Sequence, residues 1–332
     1  MLNCLVVGQG WWGQKIVESL ANSDVVNVVA AVDPLPGPRE WAASHCDSVF
    51  ASLDEAIQHG GFDAVIITSP HKEHAAHLGQ SIEAGLHVFC EKPFTTDAHS
   101  AGNLLKQAES ANLVVGIGHE RRFEPAVLEL QKLAGSGELG TLLVLEGTFS
   151  HDKFLSLPPD NWRLSPEVAP VGPLSATGIH LMDLSISLLG LPTEVWANLN
   201  SKVPPLNNGA ALSVGIKFQD GGSALISAIL STPFAMRLCL YGTHGWVEIR
   251  DRTHPEAPTG WDVTSRFSGD DEPRTDFFPP FGAVRENIET WGRAILRKGS
   301  YPITHTEILA NVQTFEAISK AAITGETVRL RR

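Results

Sequence analysis

The pattern of hydrophobic and polar positions changes once along the chain, near residue 120. Before that point, short apolar runs alternate with stretches in which apolar residues recur at helical spacing. The apolar runs predict strands at Leu2–Val7, Val25–Val32, Ser48–Ala51, Asp63–Thr68, Leu86–Cys90 and Leu113–Ile117. Because helical patterns separate these strands, we predict an α/β fold with a doubly wound parallel sheet, of the Rossmann type.

After residue 120 the strands follow one another directly. An early strand is predicted at Thr141–Ser150, and alternation predicts consecutive strands at Glu194–Ser201, Ala210–Gln219, Gly222–Ser231, Ala235–Tyr241 and Gly245–Arg250. Helices are predicted at Pro125–Ala134, Ser175–Leu189, Val284–Leu296 and Thr306–Ala322, before a short strand at Thr327–Leu330. The Pro- and Gly-rich segment Thr253–Pro280 is interpreted as a long surface loop. We therefore predict two domains, 1–120 and 121–332, the second an α+β domain with an open antiparallel sheet.

The predicted antiparallel sheet has helices on one face only. Its other face is expected to be a large apolar surface, which in a globular protein calls for cover. We therefore expect a homodimer or a homotetramer that is built sheet to sheet.

The first strand enters a glycine-rich turn, Gly8-Gln9-Gly10-Trp11-Trp12-Gly13, and a helical pattern follows it. The first glycine of such a turn allows the tight bend, the second lets backbone approach a pyrophosphate, and the third lets helix and strand pack closely. The helix N-terminus offers N–H groups to phosphates. The second strand ends in Asp33, whose carboxylate suits an adenosine 2′-hydroxyl. These features predict a dinucleotide site that prefers NAD to NADP, with Trp11 and Trp12 either covering the pyrophosphate or stapling the first helix.

Composition, net charge and cysteine content restrict the classes of protein to which the chain can belong. The chain of 332 residues is 43% hydrophobic and 19% charged, as ordinary globular proteins are. Its net charge of −12 and the lack of an extended basic cluster argue against nucleic-acid binding. No apolar run approaches the about 20 residues of a membrane span, and a first strand that begins at Leu2 leaves no secretory leader. The four cysteines are scattered, so we expect reduced thiols and a cytoplasmic protein.

Further polar motifs follow predicted strands or open the second domain. Ser69-Pro70-His71 with His74 follows the fourth strand, and Glu91-Lys92-Pro93 follows the fifth. Arg121-Arg122-Phe123-x-Pro125 enters the second domain, and Gly178-Ile179-His180-x-x-Asp183 opens its long helix. Together with the glycine turn, this ordered set resembles the glucose–fructose oxidoreductase / inositol dehydrogenase family (Gfo/Idh/MocA) over essentially the whole chain. The resemblance implies an NAD(P)-dependent oxidoreductase that acts on a sugar, cyclitol or related hydroxylated or carbonyl compound.

The resemblance also implies roles for individual residues. Glu91 would hold the nicotinamide ribose, and Pro70 and His71 would line the nicotinamide pocket. Lys92 and His180 would face the substrate as catalytic residues. Further cofactor contacts are expected from Ser69, His74 and Lys92, and further substrate contacts from Arg122, Trp162, Arg163 and Thr177.

Three points depart from the family pattern or stay open. Family members that oxidise sugars usually carry an Asp four residues before the histidine, and here that residue is Ala176. No carboxylate acts from this position, so a non-catalytic nucleotide-binding sensor or scaffold is the alternative. The pair Trp162-Arg163 either contacts the cofactor or a substrate carboxylate, or tethers the flank of the helix. The histidines from His71 to His77 lie at three-residue steps that drift around a helix, so we expect no metal site.

Overall fold

The computed structural model of the protein describes residues 1–200 and 203–330, in two compact units. The first unit comprises Met1–Glu120 with Gly282–Val312, and the second comprises Arg121–Phe281 with the C-terminal segment from Gln313. These units are not the two continuous domains, 1–120 and 121–332, that we expected. The first boundary between the units, after Glu120, falls where the hydrophobic pattern changes. The later segment Gly282–Val312, however, belongs to the first unit.

The first unit contains a six-stranded parallel sheet. Its strands are β1 (Leu2–Val7), β2 (Val26–Val32), β3 (Ser48–Phe50), β4 (Ala64–Ile67), β5 (His87–Cys90) and β6 (Val115–Ile117), in the order β3-β2-β1-β4-β5-β6. Successive strands are connected by α1 (Trp11–Leu20), α2 (Pro36–Ala42), α3 (Leu53–His59), α4 (His74–Glu83) and α5 (Ala98–Ser110). This is the doubly wound arrangement that the alternation of strands and helices predicts.

The second unit contains a nine-stranded, mostly antiparallel sheet. Its strands are β7 (Leu142–Ser150), β8 (Pro192–Asn200), β9 (Ala211–Phe218), β10 (Ser223–Ile229), β11 (Ala235–Gly242), β12 (Gly245–Asp251), β13 (Trp261–Phe267), β14 (Arg274–Phe278) and β15 (Val328–Arg329). They lie in the order β14-β13-β12-β11-β7-β10-β9-β8-β15. Helix α6 (Pro125–Ser136) packs on β12 and β13, and helix α7 (Ile179–Leu189) packs on β7 and β10.

This sheet differs from the predicted open antiparallel sheet in the place of β7. β7 lies between β10 and β11, pairing in parallel with β10 and antiparallel with β11. The apolar and polar pattern predicted the strands β7 to β12 and β15. The pattern carries no information about which strands pair, and β10 and β11 are not neighbours in the sheet although they are consecutive in the sequence.

The segment Thr253–Pro280 is not a surface loop, because β13 and β14 lie within it. Trp261 and Val263 of β13 are buried in the core. The prolines and glycines that suggested a loop flank the two strands: Pro255, Pro258, Gly260, Gly269, Pro273, Pro279 and Pro280. Proline interrupts a strand ladder but is tolerated at its ends, so these residues mark strand boundaries here.

Helix α8 (Ala283–Ile295) explains why a late segment joins the first unit. Its Ile288 and Trp291 side chains are fully buried in the core that also contains residues of β1 and β2. The Trp291 ring lies 5.6 Å from the Phe89 ring of β5, and its indole N–H donates to the Val114 carbonyl. Burying two such side chains contributes about 1.5–3 kcal/mol each. Helix α9 (His305–Thr324) then crosses the division between the units.

The sheet face opposite α6 and α7 carries both apolar and charged side chains. Trp196 and Leu225 alternate with buried neighbours and are 47% and 55% exposed. Leu225 pairs across the sheet with Glu146, which accepts a hydrogen bond from Arg237. Arg237 also pairs with Glu248 of β12. The large apolar surface that we expected is therefore interrupted by a charged cluster.

Among the helices of the described residues, none has both the length and the hydrophobicity that a bilayer crossing requires.

Candidate functional site

The register of the first sheet aligns the ends of four neighbouring strands. Val32 pairs with Val7, Val7 pairs with Ile67, and Ile67 pairs with Cys90. The residues that come next lie side by side along the carboxyl edge of the sheet: Asp33, Gly8, Thr68 and Glu91. Ligands of a doubly wound sheet bind beyond this edge, where the strand order reverses beside the first strand.

The backbone of the glycine turn is confined at two positions and open at a third. A Cβ on Gly8, whose φ is +94°, would lie 2.8 Å from the Ser69 backbone nitrogen, and one on Gly13 would clash with the Gly8 carbonyl oxygen. Both positions therefore require glycine. A Cβ on Gly10 would meet no atom of the described chain within 4 Å. Because α1 begins directly after Gly10, the space beside it can take a phosphate group at a helix N-terminus.

Asp33 is buried and holds the glycine turn in place. Its Oδ2 accepts a hydrogen bond from the Gln9 backbone N–H at 2.7 Å, and its Oδ1 accepts one from the Leu35 backbone N–H at 2.9 Å. Each carboxylate oxygen keeps a second lone pair for a ribose hydroxyl. The Arg39 guanidinium donates to the Asp33 carbonyl oxygen at 2.8 Å, so a cation also lies at this position.

Glu91 is a buried carboxyl group between the backbone of Gly118 and the charge of Glu120. A Cβ on Gly118 would lie 2.6 Å from the Glu91 carboxyl atoms, so only glycine fits there. Burial and then Glu120 raise the pKa of Glu91 to about 7, while Trp12 and Lys92 act in the opposite direction. Near neutral pH the group can therefore either accept or donate a hydrogen bond. The Lys92 backbone N–H donates to Glu91 Oε2 at 3.2 Å, and the Lys92 side chain is half-buried.

His74 connects two loops of the first unit. The side chain is 0% exposed, with Nδ1 2.7 Å from the Pro93 carbonyl oxygen and Nε2 2.9 Å from the Ser69 carbonyl oxygen. We expected His74 to contact the cofactor, and the structure corrects this expectation. Burial leaves no surface of the ring for a ligand, so His74 instead holds the two loops together.

Of the other residues after β4 that we expected at the cofactor, Ser69 is buried, whereas Pro70 and His71 are only partly buried. Pro70 is half-buried, and His71 lies in a half-buried 3₁₀ turn, His71–Glu73. The Ser69 hydroxyl lies 2.9 Å from His77 Nδ1. Within the described residues, no group of three or more His, Cys, Asp or Glu side chains is arranged to hold a metal ion.

In the second unit, α7 carries His180 in its first turn. A π-helical turn at Leu174–Gly178 precedes α7, and Gly178 packs so closely on Ala228 of β10 that a Cβ would lie 3.2 Å from it. His180 is buried, and its ring centre lies 6.1 Å from that of Phe149 in β7. The packing of α7 on the sheet thus fixes the position of His180.

Arg122 forms a buried ion pair with Asp183 of this helix. Its Nε and Nη2 donate to Asp183 Oδ2 and Oδ1 at 2.8 and 2.6 Å, and both side chains are buried. We expected Arg122 to contact the substrate, but this face of its guanidinium is used by Asp183. Asp183 lies one turn beyond His180 on α7, so the ion pair connects Arg122 to that helix.

Thr177 and Ala176 both lie in the π-helical turn before α7, and their side chains have different surroundings. Thr177 is fully buried, and its hydroxyl donates to the Pro173 carbonyl oxygen at 3.1 Å. The expected substrate contact of Thr177 is therefore also corrected, because the hydroxyl is satisfied inside its own turn. Ala176 packs against the apolar cluster of Leu164, Leu206, Ala210 and Leu230. The position that carries a carboxylate in many family members thus borders an apolar wall here.

Trp162 and Arg163 lie in a 3₁₀ turn of the irregular segment before α7. The Arg163 guanidinium stacks 4.5 Å from the Trp162 ring. The Arg163 backbone is fixed by Asn161, whose side chain accepts from its N–H at 3.1 Å, and by Asn208, whose side chain donates to its carbonyl at 2.7 Å. The backbone contacts therefore tether the turn, while the guanidinium stacks on Trp162.

Sequence reasoning missed two histidines near His180. His151 follows β7 directly, and His254 follows β12; their ring centres are 5.5 Å apart. A polar residue directly after a buried strand was a usable signal for His151. His254 carried no such signal, because it lies in the segment that was interpreted as a loop.

Comparison with known proteins adds the family relationship. Residues 2–119 match the family described as "Oxidoreductase family, NAD-binding Rossmann fold" (GFO_IDH_MocA), and residues 127–248 match the "GFO/IDH/MocA C-terminal domain". Together the two matches extend over the parallel sheet and over the mixed sheet from β7 into β12.

Individual relatives agree with these matches. An uncharacterized oxidoreductase of Schizosaccharomyces pombe is 31% identical over 205 residues, which are 59% of this chain and 55% of that protein, so the chain spans about half of its length. D-xylose 1-dehydrogenase (NADP(+)) 2 of Haloferax volcanii is 24% identical over 94% of this chain and 91% of its own. The crystal structure of aldose-aldose oxidoreductase from Caulobacter crescentus, at 22% identity, superposes with a TM-score of 0.86 over 99% of each chain.

Proposed function

Because the chain belongs to the Gfo/Idh/MocA family of oxidoreductases, we propose that it is an NAD(P)-dependent dehydrogenase or reductase of a sugar, cyclitol or related compound. The family and the two-sheet fold that the motifs predicted are both confirmed. The activity, the substrate and the roles of individual residues are the proposal.

The observation that carries the proposal is the carboxyl edge of the first sheet. Gly10 leaves open space at the N-terminus of α1, which fits a pyrophosphate. Asp33 and Glu91 stand on either side of the turn with carboxyl oxygens that suit ribose hydroxyls. We assign Gly8, Gly10 and Gly13 to the pyrophosphate turn, and Ser69, Pro70, His71, Glu91 and Lys92 to the nicotinamide half. NAD is the preferred cofactor, because Asp33 would repel a 2′-phosphate.

The protein must move a proton as well as bind the cofactor. When bound, the nicotinamide supplies or accepts the hydride. Lys92 Nζ holds the proton that leaves or reaches the substrate oxygen, since an ammonium near a cationic ring has its own charge disfavoured. His180 is proposed as a second acid–base residue of the reaction, because imidazole titrates near neutral pH. General acid–base catalysis of this kind contributes roughly 10²–10⁴-fold in rate.

The class of substrate follows from the family and from one relative. One relative that aligns over most of the chain is named a D-xylose 1-dehydrogenase, which supports a hydroxylated carbon compound as substrate. Ala176 sets this chain apart, because the wall beside it is apolar where many members have a carboxylate. We therefore propose a substrate of the same general chemistry but with different contacts at this wall.

The test is the absorbance of NADH in the near ultraviolet against a panel of sugars, polyols, sugar acids and cyclitols. Turnover with any compound supports the proposed enzyme. Tight NAD binding, by quenching of Trp11 and Trp12 fluorescence, together with a silent panel would favour the non-catalytic sensor instead. Failure to bind either NAD or NADP would contradict both.

Two further parts of the proposal concern the oligomeric state of the enzyme and its location in the cell. We propose a homodimer or homotetramer in which the open face of the mixed sheet is covered by a second copy, supported by exposed Trp196 and Leu225. We also propose a cytoplasmic location. All four cysteines lie in the described chain as free thiols, which suits a reducing compartment.

A further inference from the structure

Two histidines of the second unit lie in one aromatic cluster beside His180. The cluster comprises His151, His254, Phe149, Phe154 and Phe234, and we call it the two-histidine cluster. The Phe149 ring centre lies 6.3 Å from His151, 6.0 Å from His254 and 6.1 Å from His180. The cluster is therefore continuous with the histidine that we assign to the substrate.

The protonation of His151 follows from its burial. The side chain is 6% exposed, and among the described residues its Nδ1 has no hydrogen-bond partner. An orphaned N–H is rare in a protein interior, so the ring proton belongs on Nε2. Burial, then His254 and Lys153, lower the pKa of His151 to about 4, against Glu256 and Asp152. At neutral pH this ring therefore offers one N–H donor.

The protonation of His254 follows from its neighbours. Its Nδ1 lies 3.2 Å from the Lys153 ammonium and 3.3 Å from the Glu256 backbone N–H. Both groups can only donate, so Nδ1 accepts and the ring proton is on Nε2. Burial lowers the pKa of His254; Glu256 opposes this, and Lys153 and Arg121 add to it. The cluster thus holds two neutral imidazoles, each with an Nε2–H donor.

The guanidinium of Arg163 is a third N–H donor, and it interacts with the Glu256 carboxylate. Among the described residues its hydrogen bonds are made by the backbone and not by the guanidinium. The Glu256 carboxylate raises the pKa of Arg163 against the lowering effect of burial, so the two side chains interact. Glu256 is itself paired with Lys153. Two cations, Lys153 and Arg163, therefore share the Glu256 carboxylate.

The balance of donors and acceptors decides which ligand fits. A sugar hydroxyl needs an acceptor for its own proton, whereas the two imidazoles and the guanidinium present N–H donors, and Glu256 is paired with Lys153. A carboxylate needs donors alone, and hydrogen bonds to it are stronger than those between neutral groups. Ala176 packs against the same apolar cluster as Phe154. A protein carboxylate at this position would repel the carboxylate of a bound ligand, and alanine carries none.

We propose that the Nε2–H groups of His151 and His254, with the guanidinium of Arg163, bind a carboxylate of the substrate. The substrate is then a sugar acid or a related hydroxy acid and not a neutral sugar. This inference rests on the proposed function, because it names the substrate class of the same site.

The test compares each neutral sugar with its own acid: D-glucose with D-glucuronate, and D-xylose with D-xylonate. Calorimetry measures binding to the full chain saturated with NAD, after NAD binding itself has been measured. We expect at least one acid to bind about tenfold or more tightly than its neutral partner. His151→Phe and His254→Phe, which keep the aromatic volume, should each reduce this preference below about threefold. His244→Phe, at an exposed position in the turn after β11, is the matched control and should retain it.

The pH dependence separates this role from a structural one. A bound carboxylate raises the pKa of the neighbouring histidines, so the complex takes up protons on binding. The affinity for the acid should therefore rise as the pH falls from 8 to 5, while the affinity for the neutral sugar stays constant. Equal affinity for acid and sugar, a preference that survives in both phenylalanine variants, or no binding of any of the four compounds would each overturn the inference. None of these results would contradict the proposed function if NAD binds and another compound is turned over.

Discussion

Arg122 donates two hydrogen bonds, of 2.8 and 2.6 Å, to the carboxylate of Asp183, inside the second unit and one helical turn from His180. The pair joins the segment that enters the second unit to the helix that carries a candidate catalytic residue. Breaking one side of a buried ion pair is costly because the other charge loses its compensation.

We predict that Asp183→Asn lowers the free energy of unfolding by about 3 kcal/mol or more. Urea unfolding followed by circular dichroism measures this change. Asp276→Asn is the matched control, because Asp276 pairs with Arg274 on the surface, where such pairs contribute about 0–1 kcal/mol. A loss in Asp183→Asn no larger than in the control would show that the buried pair does not support the helix.

The raised pKa of Glu91 predicts a dependence of stability on pH. A carboxyl with an ordinary pKa of 4.5 and a folded pKa of about 7 is protonated in the folded chain and ionised in the unfolded chain between those values. The folded state then binds more protons, so stability falls as the pH rises through this window, by on the order of 3 kcal/mol. We expect Glu91→Gln to remove this part of the difference in unfolding free energy between pH 5 and pH 8. Glu40→Gln, at an exposed position of the same unit, should leave it unchanged, and a parental pH profile in Glu91→Gln would refute the assignment.

The cofactor preference can be tested at Asp33. Its carboxylate lies at the end of β2 and holds the backbone N–H groups of Gln9 and Leu35. We predict that NADH binds more tightly than NADPH, because a 2′-phosphate would meet this negative charge. Asp33→Asn keeps an acceptor oxygen but removes the charge, and should reduce the preference. Fluorescence titration measures both dissociation constants; NADPH binding that equals or exceeds NADH binding in the parent would contradict the interpretation.

The sequence predicted the first sheet well because its signals are local. Each strand is a short apolar run, and the glycine turn and Asp33 stand at fixed distances from strand ends. The place of β7 between β10 and β11 and the return of α8 to the first unit depend on contacts between distant residues. No local pattern encodes such contacts. For the same reason residue type suggested His74, Arg122 and Thr177 as ligand contacts, while only the structure revealed their burial.

Assembly through the open face of the mixed sheet is a separate prediction. Leu225 is exposed next to Glu146 on that face. We expect the parent to scatter light as a dimer or tetramer of the 35.8 kDa chain at micromolar concentration. Leu225→Glu places a new charge beside Glu146 and should shift the particle toward the monomer. Leu128→Glu, an exposed position on α6, should not. A monomeric parent would contradict the proposed assembly.

The initial rate of NADH formation by Lys92→Ala, with the best substrate of the panel at saturation, tests the central claim most directly. Lys72→Ala changes an exposed lysine of the same unit and serves as the control. If Lys92 holds the transferred proton, its loss lowers kcat by roughly 10²–10⁴-fold, while the dissociation constant of NAD changes little and the control turns over like the parent. A Lys92→Ala enzyme with the parental kcat would contradict the account.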